Sequence, residues 1–218
     1  MTSIADLKPG MIGFGPIHGG AGLLVNAGQL LLGEGFHVGE LDIRHVFVVT
    51  EAGRPNPPYR DGLGNFPPQA VEAMPSGARR VSIGDRWTPE YAYVQLPEDY
   101  PGQGEDAAAI ARAMVGTPYS FASYAALAAW RFGMKTPRLE KWINRRKPVQ
   151  VIDLPDGDSA PHQETELPCE AICSVLADQA WALTGKQVMP KGTPHQCVTP
   201  GALAAALLEK EGTRWIWP

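Results

Sequence analysis

The sequence predicts an α+β fold in which an antiparallel β-meander packs against a layer of helices. Between residues 45 and 96, runs rich in β-branched and aromatic residues alternate with Gly- and Pro-containing turns, which is strand and hairpin chemistry. Ala-rich segments of helical length then gather after Pro101. The chain has 218 residues, 44% apolar and 19% charged, enough to bury one core and fitting a single domain with an excursion at about 134–168.

The elements follow in order. Leu7-Lys-Pro-Gly-Met-Ile-Gly-Phe-Gly reads as a turn into a short apolar strand. The Gly-rich stretch through Gly22 lacks the spacing and the Gly-Lys-Ser/Thr ending of a phosphate loop, so its glycines are read as a loop before a short helix over Leu23 to Leu32. His45-Val-Phe-Val-Val-Thr suits a buried strand that stops at Glu51-Ala-Gly-Arg-Pro. Gln69 to Met74 is the next strand; Pro75-Ser-Gly turns into a third over Ala78 to Ile83, and Tyr91 to Leu96 is a fourth.

Helices are expected over Glu105 to Val115, with acidic residues at the front, and over Ser120 to Gly133, with Tyr124, Leu127 and Trp130 on one face. A third runs from Glu170 to Leu183 and closes at Thr184-Gly185. In the last, Thr199 caps and Pro200 takes the first helical position. Trp215-Ile-Trp217 is too apolar to stay in water, so it folds onto the core or meets a protein partner.

A net charge of -4 disfavours an electrostatically driven nucleic-acid binder. The basic piece Arg138 to Lys147 is read as a solvated face. With no basic-then-apolar leader and no long apolar run, no signal peptide or transmembrane segment is expected, and the chain should be soluble and made inside a cell. Three cysteines argue against a secreted disulfide framework. Cys169, Cys173, His195 and Cys197 could supply zinc ligands, but one residue between His195 and Cys197 is a poor spacing for a tetrahedral site, so neither metal nor cofactor is expected.

Cys173 falls near the start of its helix, where unpaired backbone N–H groups and the helix dipole favour a thiolate nucleophile; the alternative is an inert buried cysteine. His45 opens an apolar strand and is a better base candidate than His18, in the Gly-rich loop, or His37, whose run soon meets Glu40, Asp42 and Arg44. Glu72 on the neighbouring strand can orient the imidazole, whereas Glu51 lies at the far end of the His45 strand, roughly 20 Å off.

Lys8-Pro-Gly-Met-Ile-Gly-Phe, Arg44-His-Val-Phe-Val-Val, Ala70-Val-Glu-Ala-Met-Pro-Ser-Gly-Ala-Arg, Gly116-Thr-Pro-Tyr-Ser-Phe, Ala171-Ile-Cys-Ser-Val-Leu and Val198-Thr-Pro-Gly-Ala-Leu occur in this order. The series resembles the circularly permuted NlpC-like (YiiX-like) branch of the papain-like superfamily, especially its actinobacterial and phage versions. That resemblance implies a papain-like fold in permuted order, a meander or small barrel against the helices, with Cys173 as nucleophile, His45 as base and Glu72 as orienter. Tyr119 matches the Gly-x-Pro-Tyr element of that branch and lines the cleft or packs, and Ser174 follows the nucleophile as a further substrate-binding position; Phe47 stands where many members have a small Gly, and either narrows the cleft as a substrate-binding residue or fills the core. The resemblance further implies a cytoplasmic or phage virion-associated setting. The function implied is a cysteine peptidase, amidase or acyl-transfer enzyme acting on a peptide, peptidoglycan-like or acyl-amide substrate; the alternative is a non-catalytic structural or interaction protein that keeps the fold.

Overall fold

A computed structural model describes residues 3–17, 37–38, 41–53, 67–120, 150–152, 165–167, 171–190 and 198–218. The expected helix over 23–32, all but the first residue of that over 120–133, the candidate base His18, the prospective zinc ligands Cys169, His195 and Cys197, and most of the excursion at 134–168 lie outside those residues. Within them the protein is α+β.

Strand β1 (Ile12–Gly15) is followed by the short β2 (His37–Val38) and β3 (Leu41–Asp42), then by β4 (His45–Glu51), β5 (Gln69–Met74), β6 (Gly77–Ser82) and β7 (Ala92–Gln95). Helix α1 (Gln103–Ala113) comes next, then β8 (Gln150–Ile152) and β9 (Thr165–Leu167), helices α2 (Cys173–Ala182) and α3 (Pro200–Glu209), and strand β10 (Arg214–Ile216). Six strands form one antiparallel sheet in the order β10-β7-β1-β4-β5-β6, while β2–β3 and β8–β9 make separate two-stranded ladders.

The expected continuous meander is therefore corrected. It holds for β4-β5-β6, but β7 returns to pair with β1, and β10 adds to β7. Strand β1 is buried along its whole length, so it takes partners on both sides, and β7 supplies the second. The sheet is not the small barrel anticipated either: among the described residues its outer strands, β10 and β6, are not paired with each other.

Alternation along the strands sends side chains into two apolar clusters. Ile12, Phe14, Val46, Val48, Val71, Ala73, Ala92 and Val94 face the helices, where they meet Ile110, Leu176, Trp181 and Leu203. On the opposite face Phe47, Val49, Ala70, Tyr93 and Ile216 pack with Leu7, Met11 and Ile83. Trp181 ties helix to sheet entry by donating its indole N–H to Gly10 O at 2.9 Å. The C-terminal aromatics do fold back. Trp215 lies in β10 and stacks on Phe14 at 5.6 Å, while Trp217 stacks on Trp215 at 5.7 Å and remains 43% exposed.

Candidate active site

Three elements converge on one side chain, His45. It is the first residue of β4, with its ring centre 6.3 Å from that of Phe47. Glu72 is the cross-strand partner of Phe47, so its carboxylate stands diagonally beside the imidazole. His45 Nε2 and Glu72 Oε2 are 2.6 Å apart, a short charge-assisted hydrogen bond between groups that are 3% and 0% exposed.

The rival orienter, Glu51, sits at the far end of β4, half exposed, with Arg80 3.8 Å away. His37 belongs to the β2–β3 ladder, outside the six-stranded sheet.

Cys173 is the first residue of α2, a sharper position than the expected helix start at Glu170. Ala171 is held in an extended bridge with Tyr119: Ala171 N–H donates to Pro118 O at 3.1 Å and Ser120 N–H to Ala171 O at 3.3 Å. These bonds keep the backbone strand-like up to Ile172 (φ -98°, ψ 166°) and postpone the helix until Cys173. Ile172 contributes no side-chain cap, so the orphan N–H groups of the first turn are not met by the residue before it. The Gly116-Thr-Pro-Tyr-Ser element thus acts through its backbone to place the thiol.

Besides Glu72, Cys173 is the side chain that acts on the His45 ring, as both hydrogen-bond and charge partner. Nε2 is occupied by Glu72, and Nδ1 is buried without a well-directed partner. Nδ1 is therefore the nitrogen left to exchange a proton with the thiol. Burial alone would lower the imidazole, but Cys173 and then Glu72 outweigh it and lift His45 from 6.5 to about 9. Burial would likewise raise Glu72, yet the His45 hydrogen bond and the close positive charges of His45 and Arg86 hold its carboxyl well below the usual carboxylate range. At neutral pH the resting pair is imidazolium and carboxylate.

Two arginines that the sequence reading passed over complete the carboxylate's surroundings. Arg79, opposite Glu72 on β6, reaches Oε1 with both Nε and Nη2 at 2.9 Å. Arg86 Nη1 lies 2.8 Å from Oε2, off the line of a directed hydrogen bond, so the contact is chiefly ionic. The hairpin could have revealed Arg79: a two-residue turn at Pro75-Ser76 pairs Met74 with Gly77 and hence Glu72 with Arg79. Arg86 is the last residue of a 3-10 turn, Gly84–Arg86, where no strand register points to it.

Phe47 is fully buried under the Arg86 guanidinium, whose central carbon is 5.1 Å from the ring centre, and it packs on Tyr91 and Tyr93. Ser174 is also fully buried and donates to Val198 O at 2.6 Å, tying α2 to the segment before α3. Tyr119 is 8% exposed in the bridge beside Cys173. Of the three expected substrate-binding positions, only Tyr119 thus shows more than a trace of surface.

Among the described residues no group of three or more His, Cys, Asp or Glu side chains could hold a metal, and no helix is long and apolar enough to cross a membrane. No protein-family model and no curated protein matches this sequence, so any functional reading stands on the geometry and chemistry of the His45 cluster.

Proposed function

We propose that the protein is a cysteine-dependent hydrolase or acyl-transfer enzyme with a papain-like arrangement in permuted order. The observation that carries this reading is one imidazole engaged on both sides: Nε2 bonded to the buried Glu72, and the ring coupled to Cys173 at the first position of a helix. That division of labour is what a nucleophile, a base and an orienting carboxylate require.

In the proposed cycle the proton shared between Cys173 and His45 already resides on Nδ1 of the imidazolium, and the sulfur attacks an amide or ester carbonyl. The developing oxyanion is met by the Cys173 backbone N–H. Collapse breaks the bond to the leaving amine or alcohol, which takes its proton from His45, and leaves a thioester on Cys173. His45 then removes a proton from water, which cleaves the thioester and releases the carboxylic acid; an amine or alcohol in place of water would give transfer. Peptide, peptidoglycan-like and acyl-amide substrates all fit this chemistry.

The non-catalytic alternative draws on one observation, the 1% exposure of Cys173. Both readings are tested by presenting peptide amides and acyl esters with activated leaving groups to wild type, Cys173→Ala and His45→Ala, with intact-mass detection of an acyl adduct. Wild type should acquire one acyl group on Cys173, and His45→Ala should acylate at least about 100-fold more slowly. Absence of any adduct on Cys173 across both substrate classes would leave the interaction protein as the better description.

A further inference from the structure

The Glu72 carboxylate is asked to do two opposed things. It must hold the imidazole in one orientation, and it must let the imidazolium give its proton to a leaving group. A buried carboxylate with no other partner would favour the first at the expense of the second, because all its negative charge would be focused on the His45 N–H.

Here that charge is divided. Oε1 is taken by Arg79 through two nitrogens, and Oε2, the oxygen that accepts from His45, also faces Arg86 Nη1 at 2.8 Å. The two arginines differ in their surroundings. Arg79 is half exposed, so water screens it, whereas only 19% of the Arg86 side chain is exposed. Arg86 is also built in: its guanidinium lies over the Phe47 ring, and its backbone carbonyl accepts from the Tyr93 hydroxyl at 2.8 Å.

Resting on the reading of Cys173 and His45 as a working pair, we propose that Arg86 is a positioning residue that competes with His45 for Glu72 Oε2 and so keeps the imidazolium able to release its proton. It touches neither thiol nor substrate and acts through the carboxylate. Among the described residues the other titratable and charged groups around His45 and Glu72 are Cys173 from α2, Arg79 from β6, and Tyr91, with Glu90 acting on it, from the segment before β7. Neither Arg79 nor Tyr91 can replace Arg86 at Oε2: Arg79 is committed to Oε1, and a phenol carries no positive charge.

The test is the titration of the His45 ring by NMR in wild type, Arg86→Met, Arg86→Gln and Arg86→Lys. Arg79 keeps Glu72 in place in all of them, so the imidazole remains oriented while the competing charge changes. The neutral variants should raise the His45 midpoint by about 1 pH unit, and lysine, which restores the charge, should move it less than half as far. A folded Arg86→Met or Arg86→Gln whose midpoint stays within about 0.2 unit of wild type would overturn the proposal. So would unfolding of both neutral variants, since Arg86 would then be a folding element. This readout needs no turnover: a Cys173 that accepts no acyl group would refute the hydrolase reading while leaving the ring titration to decide on Arg86.

Discussion

At the residue scale, Glu72 is the group with most to lose. It is fully buried and takes two cations and an imidazolium, so Glu72→Gln leaves Arg86 and His45 facing an uncharged amide. Breaking a buried ion pair from one side costs about 3–5 kcal/mol. Urea unfolding of Glu72→Gln should show a loss of that order, and its Cys173 acylation rate should fall about 100-fold. The pH dependence of stability carries a second prediction. His45 is raised from 6.5 to about 9, so its contribution is complete below pH 6.5 and disappears as pH climbs through 9. Glu72 is shifted the other way, and its contribution is present above 4.5 and lost as pH falls below that. Both are intact between pH 4.5 and 6.5. The stability difference between wild type and His45→Gln should therefore be largest in that window, and on the order of 3 kcal/mol of it should vanish by pH 9 or above. A difference that does not change with pH would contradict the coupling.

At the element scale, the pattern of β1 explains its glycines. A Cβ on Gly13 would fall 2.1 Å from the Phe47 ring, and one on Gly15 would fall 2.2 Å from the Tyr91 ring. The bare backbone of β1 is the floor on which those aromatics lie, and Phe47 in turn supports Arg86. Gly13→Ala should cost about 1–3 kcal/mol and also slow Cys173 acylation, because the displaced ring disturbs the carboxylate clamp. Thr199→Ala is the contrasting case. Thr199 accepts from Ala202 N–H at 3.1 Å and caps α3, so its removal should cost about 1 kcal/mol in denaturant unfolding while acylation stays within about twofold of wild type.

Much of this was legible from local chemistry. The strand over 69–74 has the bounds its alternation gives, and the cap at Thr199 and the proline after it open α3; the pairing of His45 with Glu72 needed the family resemblance beside the pattern of neighbouring strands. Helix α2 was foreseen three residues too early because the Tyr119–Ala171 bridge, which holds the chain extended, joins positions far apart in sequence. Phe47 could not be separated into lining or packing, since that depends on Gly13 lying opposite it across a strand pair that only the folded sheet creates.

At the scale of the whole molecule, sheet order is what the sequence left open. Four strands separated by plausible turns read most simply as neighbours, yet β7 crosses to β1 because β1 has buried residues to cover on both edges. The same crossing brings Tyr91 and Tyr93 beneath Phe47 and lets Tyr93 anchor the Arg86 turn. Hence the two arginines around Glu72 come from different levels of organisation: Arg79 from a local hairpin, Arg86 from the long-range return of β7.

The bridge between Tyr119 and Ala171 also bears on the order in which the site is put together. His45, Glu72, Arg79 and Arg86 all precede Cys173 by a wide stretch of chain, and the first three sit on adjacent strands of one meander. Closing a loop of that length is the costly, slow kind of contact, made only once the more local pairings exist. During synthesis, then, the imidazole and its carboxylate are available well before the thiol arrives. The sulfur gains its imidazole partner only when the Tyr119 segment captures Ala171, so on the proposed reading the site is completed late, on a chain that has already committed to its fold.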